Sequence, residues 1–199
     1  MSFSEDAMGP LLGPLAGKTA TLLVDARQAN VNLARTLSNA VINANLACVV
    51  FDLDACYSSN ADQIFAGLTG RAAPLTVKIP APGSDIEAEF SSLFRARHNV
   101  VVIDSLNSLY HLISMEDGTS RGRKLMFALA SLSQFARANR SAVILSMYRR
   151  EGFAKSAKGR SISNLSDVTA SVGVRGNELE IRTERGSAWP GGTFSSRIP

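Results

Sequence analysis

Short apolar runs alternate along this sequence with stretches in which apolar residues recur every three or four positions. The runs are rich in valine and leucine, as expected for strands buried on both faces of a parallel sheet. They lie at 21–24, 48–53, 75–79, 100–103 and 142–147. The stretches with helical spacing lie at 33–46, 85–97 and 120–139. This alternation predicts an α/β domain in which a mostly parallel sheet is flanked by helices.

The two ends of the sequence depart from this alternation. Apolar residues at 169–174 and 179–183 flank the turn-forming pair Gly176-Asn177, which indicates an antiparallel hairpin at the C-terminal edge of the sheet. Residues 1–17 contain two Gly-Pro pairs and a further glycine, so we expect a flexible lead-in without a DNA-binding module. Residues 18–199 are then expected to form a single domain.

Composition and charge set broad limits on function. The 199 residues, 45% of them hydrophobic, suffice for one domain with a substantial core. The formal net charge of +4 is compatible with a polyanionic partner such as nucleic acid but does not require one. Cys48 and Cys56 lack metal-binding spacing, which is typical of reduced thiols in a cytoplasmic protein. No apolar run approaches the roughly 20 residues of a membrane span, so no membrane partner is expected.

The segment 25–32 joins the first strand to the first helix, where a P-loop protein carries its phosphate-binding loop. Aligned by these two elements, Asp25 and Asn30 stand at the two glycine positions, Val31 at the lysine and Asn32 at the Mg²⁺-binding hydroxyl. Val31 provides no charge, and the carboxylate of Asp25 would repel phosphate. The pattern predicts a degenerate Walker A loop in which Asn30 or Asn32 caps the helix. Asn30, Val31 and Asn32 are therefore candidate nucleotide-binding positions that have lost most of the required chemistry.

A second glycine-rich segment, Gly13 to Thr19, also resembles a Walker A loop. It has three residues between its glycines, where the motif requires four. It also runs directly into the apolar strand at 21–24 instead of opening a helix. We interpret it as a coincidental match.

Three aspartates end predicted strands. Asp104 follows the run 100–103, as in a Walker B strand whose carboxylate holds a water of the Mg²⁺ shell, but an aspartate that caps a turn gives the same pattern. Asp54 stands where a carboxylate could polarise water, and Asp52 lies on the same strand. Capping is the favoured interpretation of Asp52 and Asp54 because the phosphate-binding half is missing. We expect no catalytic residue, no metal site and no cofactor, since the loop disfavours the ATP and Mg²⁺ that the strand order suggests.

The segment 149–160 is the most basic part of the sequence. It carries five positive charges against one negative, with glycines and one aromatic residue. Cationic side chains would contact a phosphate backbone, and Phe153 would stack on an unpaired base. The candidate DNA-binding residues are Arg149, Arg150, Phe153, Lys155, Lys158 and Arg160. A solvated surface loop is the alternative; Arg121, Arg123 and Lys124 form a second basic cluster that would extend the same surface.

Several stretches together carry a family resemblance. They are 100–110, 121–137, 142–146 and the ending 179–185, followed by Pro190-Gly191 and Phe194. They resemble the core of RecA-type recombinases, most closely the short archaeal paralogues called RadB. The resemblance implies a RecA-like P-loop ATPase core, a DNA-contacting loop after the fifth strand, and a place in homologous recombination and DNA repair. The sequence departs from that family in its Walker A residues and in Ser146-Met147, where the family carries asparagine and glutamine.

These features favour a recombinase paralogue that binds nucleotide weakly or not at all and acts as a DNA-binding accessory factor. Its expected partners are DNA, in single-stranded form, and a catalytic recombinase or further copies of itself. The alternative is a KaiC-like pseudo-ATPase scaffold that works through protein contacts in signalling or motor assembly. A third hypothesis keeps an active ATPase in which Gly13 to Thr19, or Arg27, holds phosphate by an unusual route.

Overall fold

The structure is a computed structural model, and it describes residues 8–68, 75–80, 85–116, 121–149, 164–187, 189 and 192–198. In chain order the helices are α1 (Gly9–Leu12), α2 (Arg27–Asn43), α3 (Cys56–Ser59), α4 (Ala61–Ile64), α5 (Ile86–Arg95), α6 (Leu106–Glu116) and α7 (Arg121–Asn139). The strands are β1 (Thr19–Val24), β2 (Cys48–Asp52), β3 (Leu75–Lys78), β4 (Val100–Asp104), β5 (Ala142–Tyr148), β6 (Val168–Arg175), β7 (Glu178–Arg185) and β8 (Thr193–Arg197). A 3-10 turn, Gly13–Leu15, follows α1.

The strands form one sheet with the order β3-β2-β4-β5-β1-β6-β7-β8. Neighbouring strands from β3 to β6 are parallel, while β7 and β8 add in antiparallel fashion at the C-terminal edge. The register places Leu22 of β1 beside Ser146 on one side and Ala170 on the other. This arrangement confirms the predicted fold class.

Both faces of the parallel strands are covered, which explains why these strands appear as unbroken apolar runs. One face packs against α1 to α4, and the other face packs against α5 to α7. In β1, for example, Leu22 and Val24 belong to the first core and Leu23 belongs to the second. The alternating side-chain direction of a strand divides the residues in this way.

The expectation of a flexible lead-in is wrong for residues 8 to 17. Met8, Leu11, Leu12 and Leu15 are buried in the first core, and the indole N–H of Trp189 donates to the carbonyl of Leu11 at 3.3 Å. Proline is compatible with the first turn of a helix, where its missing N–H has no intrahelical partner. The Gly-Pro pairs therefore begin short helical turns here, and the leucines between them are buried.

The start of α2 also differs from the prediction. The helix begins at Arg27, after Ala26 in extended conformation, so Asn30 and Asn32 are interior helical residues and neither is the N-cap. Ala29, Val31 and Leu33 are all buried. Burial of these side chains stabilises the first turns of α2, so the helix begins only two residues after β1.

Besides short helical turns such as α1, two elements were not predicted. Leu106, Leu109 and Ile113 place α6 against the second core at helical spacing, a pattern that is visible in the sequence but follows β4 after a single residue. The other is β8, in which Phe194 is the apolar side chain facing the first core. A strand with one inward apolar residue gives too weak an alternation to be recognised.

Candidate functional site

The parallel strands end together at one edge of the sheet, which we call the carboxyl edge, at Val24, Asp52, Asp104 and Tyr148. Ligands of open α/β sheets bind at such an edge, where the strand order reverses. Here β1 and β4 lie on either side of β5, and the helices that follow them leave toward opposite faces. A nucleotide bound to this fold would lie at the carboxyl edge. The side chains at this edge therefore determine whether a nucleotide can bind.

The connection between β1 and α2 is too short for a phosphate-binding loop. Only Asp25 and Ala26 separate the strand from the helix, whereas a Walker A loop places a glycine-rich segment there to surround the phosphates with backbone N–H groups. The backbone N–H of Asp25 donates to the carbonyl of Val172 at 3.2 Å. Val31, aligned with the lysine, is 4% exposed and packs in the first core. The β1–α2 connection thus has neither the length nor, at Val31, the charged side chain of a Walker A loop.

Asn30 faces the carboxyl edge and binds Asp104. Its side-chain amide donates to Asp104 Oδ1 at 3.0 Å, to Oδ2 at 3.3 Å and to the hydroxyl of Tyr148 at 3.4 Å. The hydroxyl of Ser146 also donates to Asp104 Oδ1. Asn30, Asp104 and Ser146 are buried, at 3%, 1% and 3% exposed. We call these four residues the Asp104 network.

Burial raises the pKa of Asp104, and the hydrogen bonds from Ser146 and Asn30 oppose that rise in part. The negative charges of Asp54 and Asp52 raise it further. Burial also raises the pKa of the thiols in this region, that of Cys48 to about 12. For Cys56 the proximity of Asp104 adds to the effect of burial. Both cysteines are free and buried, so their thiols are protonated and unreactive.

Asp52 and Asp54 hold neighbouring segments of the chain together. The carboxylate of Asp52 accepts from the backbone N–H groups of Tyr57 at 3.1 Å and Ser58 at 2.7 Å, at the start of α3. That of Asp54 accepts from the hydroxyls of Ser105 and Ser108. The oxygens of both aspartates are thus engaged by donors of the protein itself.

ATP with Mg²⁺ does not fit the residues at this edge. The β1–α2 connection offers two residues where a loop is needed, and the Asp104 carboxylate is already bound on both oxygens by Asn30. Among the described residues no group of three or more His, Cys, Asp or Glu side chains is placed to hold a metal ion.

Gly13 to Thr19 lies at the opposite edge, where β1 begins. The Lys18 ammonium donates to the carbonyl of Pro14 at 2.8 Å, and Thr19 is the first residue of the strand. No helix follows these residues, so their backbone does not form an anion-binding turn. Arg27, the other residue of the third hypothesis, is the first residue of α2.

Arg149 is the part of the basic segment that the structure describes. It follows β5 and is 47% exposed, with its guanidinium 2.7 Å from Glu184 and 3.6 Å from Asp25. These carboxylates partly neutralise it. The other candidate DNA-binding residues, Arg150, Phe153, Lys155, Lys158 and Arg160, lie outside the described residues.

Phe127 is a candidate that sequence reasoning missed. It is 75% exposed on α7, and Arg123 lies exposed one turn before it. Because α7 ends at Asn139, just before β5 begins, its first turns lie toward the carboxyl edge where β5 ends. Its exposure could have been predicted from the sequence, because Phe127 follows Leu125 by two residues and so lies outside the apolar stripe of the helix.

Replacing Asp104 by asparagine is expected to remove a pH dependence of folding stability. Since its pKa is raised in the folded protein, the folded state binds more protons than the unfolded state between the ordinary aspartate pKa, about 3.9, and the raised value. The free energy of unfolding therefore falls as pH rises through that window. Urea denaturation between about pH 4 and 8 measures this contribution, which the Asn variant should lack.

Asp62, exposed on α4, provides the control for this measurement. Asp62→Asn makes the same chemical change at an exposed position, so the two variants are compared by the same denaturation measurements. If the free energy of unfolding changed with pH in the same way for Asp104→Asn and the wild-type protein, the raised pKa of Asp104 would be contradicted.

Comparison with known proteins identifies the fold. No family model and no curated protein matches the sequence. Among solved structures, one described as the crystal structure of the RadB recombinase superposes with a TM-score of 0.69 at 15% sequence identity, covering 93% of this chain and 89% of that one. In the described part of the chain no helix is both long and apolar enough to cross a bilayer. The resemblance stated from the sequence is thus confirmed at the level of structure: the chain has the RecA-like fold of the RadB recombinase.

Proposed function

We propose that the chain is a recombinase paralogue that binds single-stranded DNA and assists recombination and repair in the cytoplasm, without ordinary ATPase chemistry. It would act beside a catalytic recombinase or as an oligomer of itself. The RecA-like fold supplies the setting, since the similar solved structure is described as a recombinase. The observation that carries the proposal is Phe127, an aromatic side chain left 75% exposed beside basic residues toward the carboxyl edge.

An exposed phenylalanine costs solvation free energy unless it has a partner. Successive bases of single-stranded nucleic acid stack on such aromatic side chains, while nearby cations contact the phosphates. Phe127 lies four residues after Arg123, so the two side chains share one face of α7. The pair therefore combines the two kinds of contact that unpaired DNA needs.

The basic segment leaves the sheet at the same edge. β5 ends at Tyr148, and Arg149 begins the segment. Arg149 would have to exchange Glu184 or Asp25 for a phosphate, which makes it the weakest contributor of the set. Arg150, Lys155, Lys158 and Arg160 carry the remaining positive charge of the segment, and Phe153 its aromatic ring.

Substitution of Phe127 tests this surface. Phe127→Ala is expected to weaken binding of a fluorescein-labelled oligothymidylate roughly 5- to 100-fold, because stacking contributes about 1–3 kcal/mol per base. Phe127→Trp retains an aromatic face and should keep the affinity close to wild type. Fluorescence anisotropy at fixed salt measures both, and adding ATP with Mg²⁺ should change neither.

Arg97 provides a control, because it is exposed and lies between α5 and β4, at the edge opposite the carboxyl edge. Arg97→Ala should reduce the affinity far less than Arg123→Ala. Equal affinities for wild type and Phe127→Ala would contradict the stacking surface. Absence of DNA binding by the wild type, with specific capture of a protein partner, would instead support the pseudo-ATPase scaffold.

A further inference from the structure

The end of β5 is held from two sides at the carboxyl edge. On one side the backbone N–H of Tyr148 donates to the side-chain oxygen of Asn107, in the first turn of α6, at 3.0 Å. On the other side the backbone N–H of Arg149 donates to the carbonyl of Val24, the last residue of β1, at 2.9 Å. Hydrogen bonds therefore fix the backbone of β5 up to the residue that begins the basic segment.

The side chain of Arg149 is fixed as well, by two carboxylates from distant parts of the chain. Its guanidinium lies 2.7 Å from Glu184 on β7 and 3.6 Å from Asp25, which follows β1. A single ion pair at the surface contributes little to stability, but several charges that form a network contribute more. Through this network Arg149 connects the end of β5 to the β1–α2 connection and to β7.

A β-bulge places Glu184. Thr169 of β6 pairs with Arg185, whereas the next residue, Ala170, pairs with Thr183, so Glu184 is the extra residue between two regular pairs. A bulge interrupts the ladder and changes the direction of the side chain at that position. The position of the Glu184 carboxylate is therefore determined by the pairing of β6 with β7.

Asp25 is placed by β6. Its backbone N–H donates to the carbonyl of Val172 at 3.2 Å. The next residue of β6 is Gly173, where a Cβ atom would lie 3.4 Å from Asp25 Oδ2. The missing side chain leaves room for the carboxylate beside the strand. Both carboxylates that contact Arg149 are thus positioned by the sheet.

The charges around Arg149 disfavour a phosphate ligand. One guanidinium faces two carboxylates, so the three groups together are negative. A phosphate that displaced Glu184 or Asp25 would lie beside an unpaired carboxylate, and the two like charges would repel each other. Arg149 is therefore poorly placed to contact DNA, although it begins the most basic part of the sequence.

We propose that Glu184 and Asp25 support DNA binding by holding Arg149, which acts as a positioning residue and not as a phosphate contact. This role rests on the proposed function, the binding of single-stranded DNA. A segment whose first residue is already ordered loses less conformational entropy when it binds. An acidic residue, Glu184, thus favours the binding of a polyanion.

Glu184→Gln tests this role, because its two effects on DNA binding have opposite signs. Removal of a negative charge favours DNA through the overall field, whereas loss of the ion pair with Arg149 disfavours it. We expect the affinity for a labelled oligothymidylate to fall roughly two- to tenfold, the cost of ordering one long side chain on binding. The salt slope should not change, because no phosphate contact is lost. Glu184→Asp keeps the carboxylate and should bind more tightly than Glu184→Gln.

Glu180→Gln is the matched control. Glu180 lies on the same strand and forms an ion pair with Arg182 at 3.0 Å, so its substitution also removes one negative charge and one ion pair from β7. It should leave the affinity unchanged or raise it slightly. Asp25→Asn, which removes the other carboxylate, should weaken binding as Glu184→Gln does. Arg149→Ala combined with Glu184→Gln should bind no more weakly than Arg149→Ala alone, because the two residues act as one unit.

Anisotropy titrations at several salt concentrations separate the outcomes, with circular dichroism and a thermal melt to verify that each variant is folded. Higher affinity and a steeper salt slope for Glu184→Gln would show that the released Arg149 contacts a phosphate, which would overturn the positioning role. Unchanged affinity, or an equal loss in Glu180→Gln, would also overturn it. In all of these cases the wild-type protein still binds DNA, so the proposed function stands. A wild-type protein that does not bind DNA would instead contradict the proposed function, and the positioning role with it.

Discussion

Alanine at Arg149, Arg150, Lys155 and Lys158 together is expected to weaken binding to a single-stranded oligonucleotide roughly 100-fold or more near 0.1 M salt. Each cation that contacts a phosphate releases condensed counterions, so its loss reduces both the affinity and the dependence of affinity on salt. For single strands the logarithmic slope changes by about 0.7 for each phosphate contact. Anisotropy titrations of a labelled oligothymidylate at several salt concentrations measure the affinity and the slope together.

The size of the slope change identifies the residues in contact. If all four side chains contact phosphates, the slope should fall in magnitude by about 2.8. If Arg149 keeps its ion pairs with Glu184 and Asp25, the change should be about 2.1. The single substitution Arg149→Ala distinguishes the two cases. If Arg149 keeps its ion pairs, this substitution leaves the salt slope unchanged; if Arg149 contacts a phosphate, it reduces the slope.

The control lowers the charge elsewhere. Arg95 and Arg97 lie at the end of α5 and just beyond it, away from the carboxyl edge. Their replacement by alanine should have a small effect through the overall field only. If the loss of affinity per charge removed were the same for this pair as for the basic segment, the DNA would be attracted by the overall positive charge and not by the segment in particular. An unchanged salt slope in the fourfold variant would remove DNA contact by the segment.

The second large effect concerns the Asp104 network. Asn30→Leu combined with Ser146→Ala is expected to destabilise the fold by roughly 3–5 kcal/mol at neutral pH, because hydrogen bonds to a buried charge contribute about 1.5–3 kcal/mol each. Asp104 is 1% exposed and would lose both side chains that donate to its Oδ1. Urea denaturation at pH 7 and near pH 4 measures the change.

The pH comparison gives this prediction its direction. A carboxyl group deprived of its donors takes up a proton rather than remain charged in an apolar site. The destabilisation should therefore be smaller at the lower pH, because the raised pKa of Asp104 favours its protonated form as the pH falls. A loss of stability that is the same at both pH values would indicate a packing defect and not a missing charge partner.

Matched substitutions isolate the network from general effects. Asn32 on α2 and Ser133 on α7 are also buried, at 7% and 8% exposed, and none of the described hydrogen bonds joins either side chain to Asp104. Asn32→Leu combined with Ser133→Ala makes the same chemical changes and should cost less than about 1 kcal/mol. If both pairs cost the same, the Asp104 network would have no special part in stability.

Much of the fold could be predicted because its signals are local. The valine-rich run 100–103 is buried on both faces. Strands buried in this way appear in any parallel sheet as continuous apolar runs, which can be recognised from the sequence. The same holds for the stripe that includes Leu125 and Leu129 on α7. Weakly marked elements were missed or misjudged: β8 has a single inward apolar residue, and the Gly-Pro pairs before β1 concealed buried leucines.

The candidate site was only partly predictable, because its contacts join distant parts of the chain. Asn30 and Asp104 were both named from the sequence as nucleotide-binding positions, but as separate groups. Their hydrogen bond spans 74 positions and depends on where α2 begins. Ser146 was noted only as a departure from the family, and Phe127 was not noted at all.

The sequence by itself determined an α/β sheet with an antiparallel C-terminal edge, since this follows from residue type and spacing. Only the tertiary structure decided what the polar side chains at the carboxyl edge contact. Because α2 begins two residues after β1 and β5 lies between β1 and β4, Asn30 and Ser146 meet Asp104 from two sides. A buried carboxylate must find donors, and here the register of the strands supplies them from within the protein.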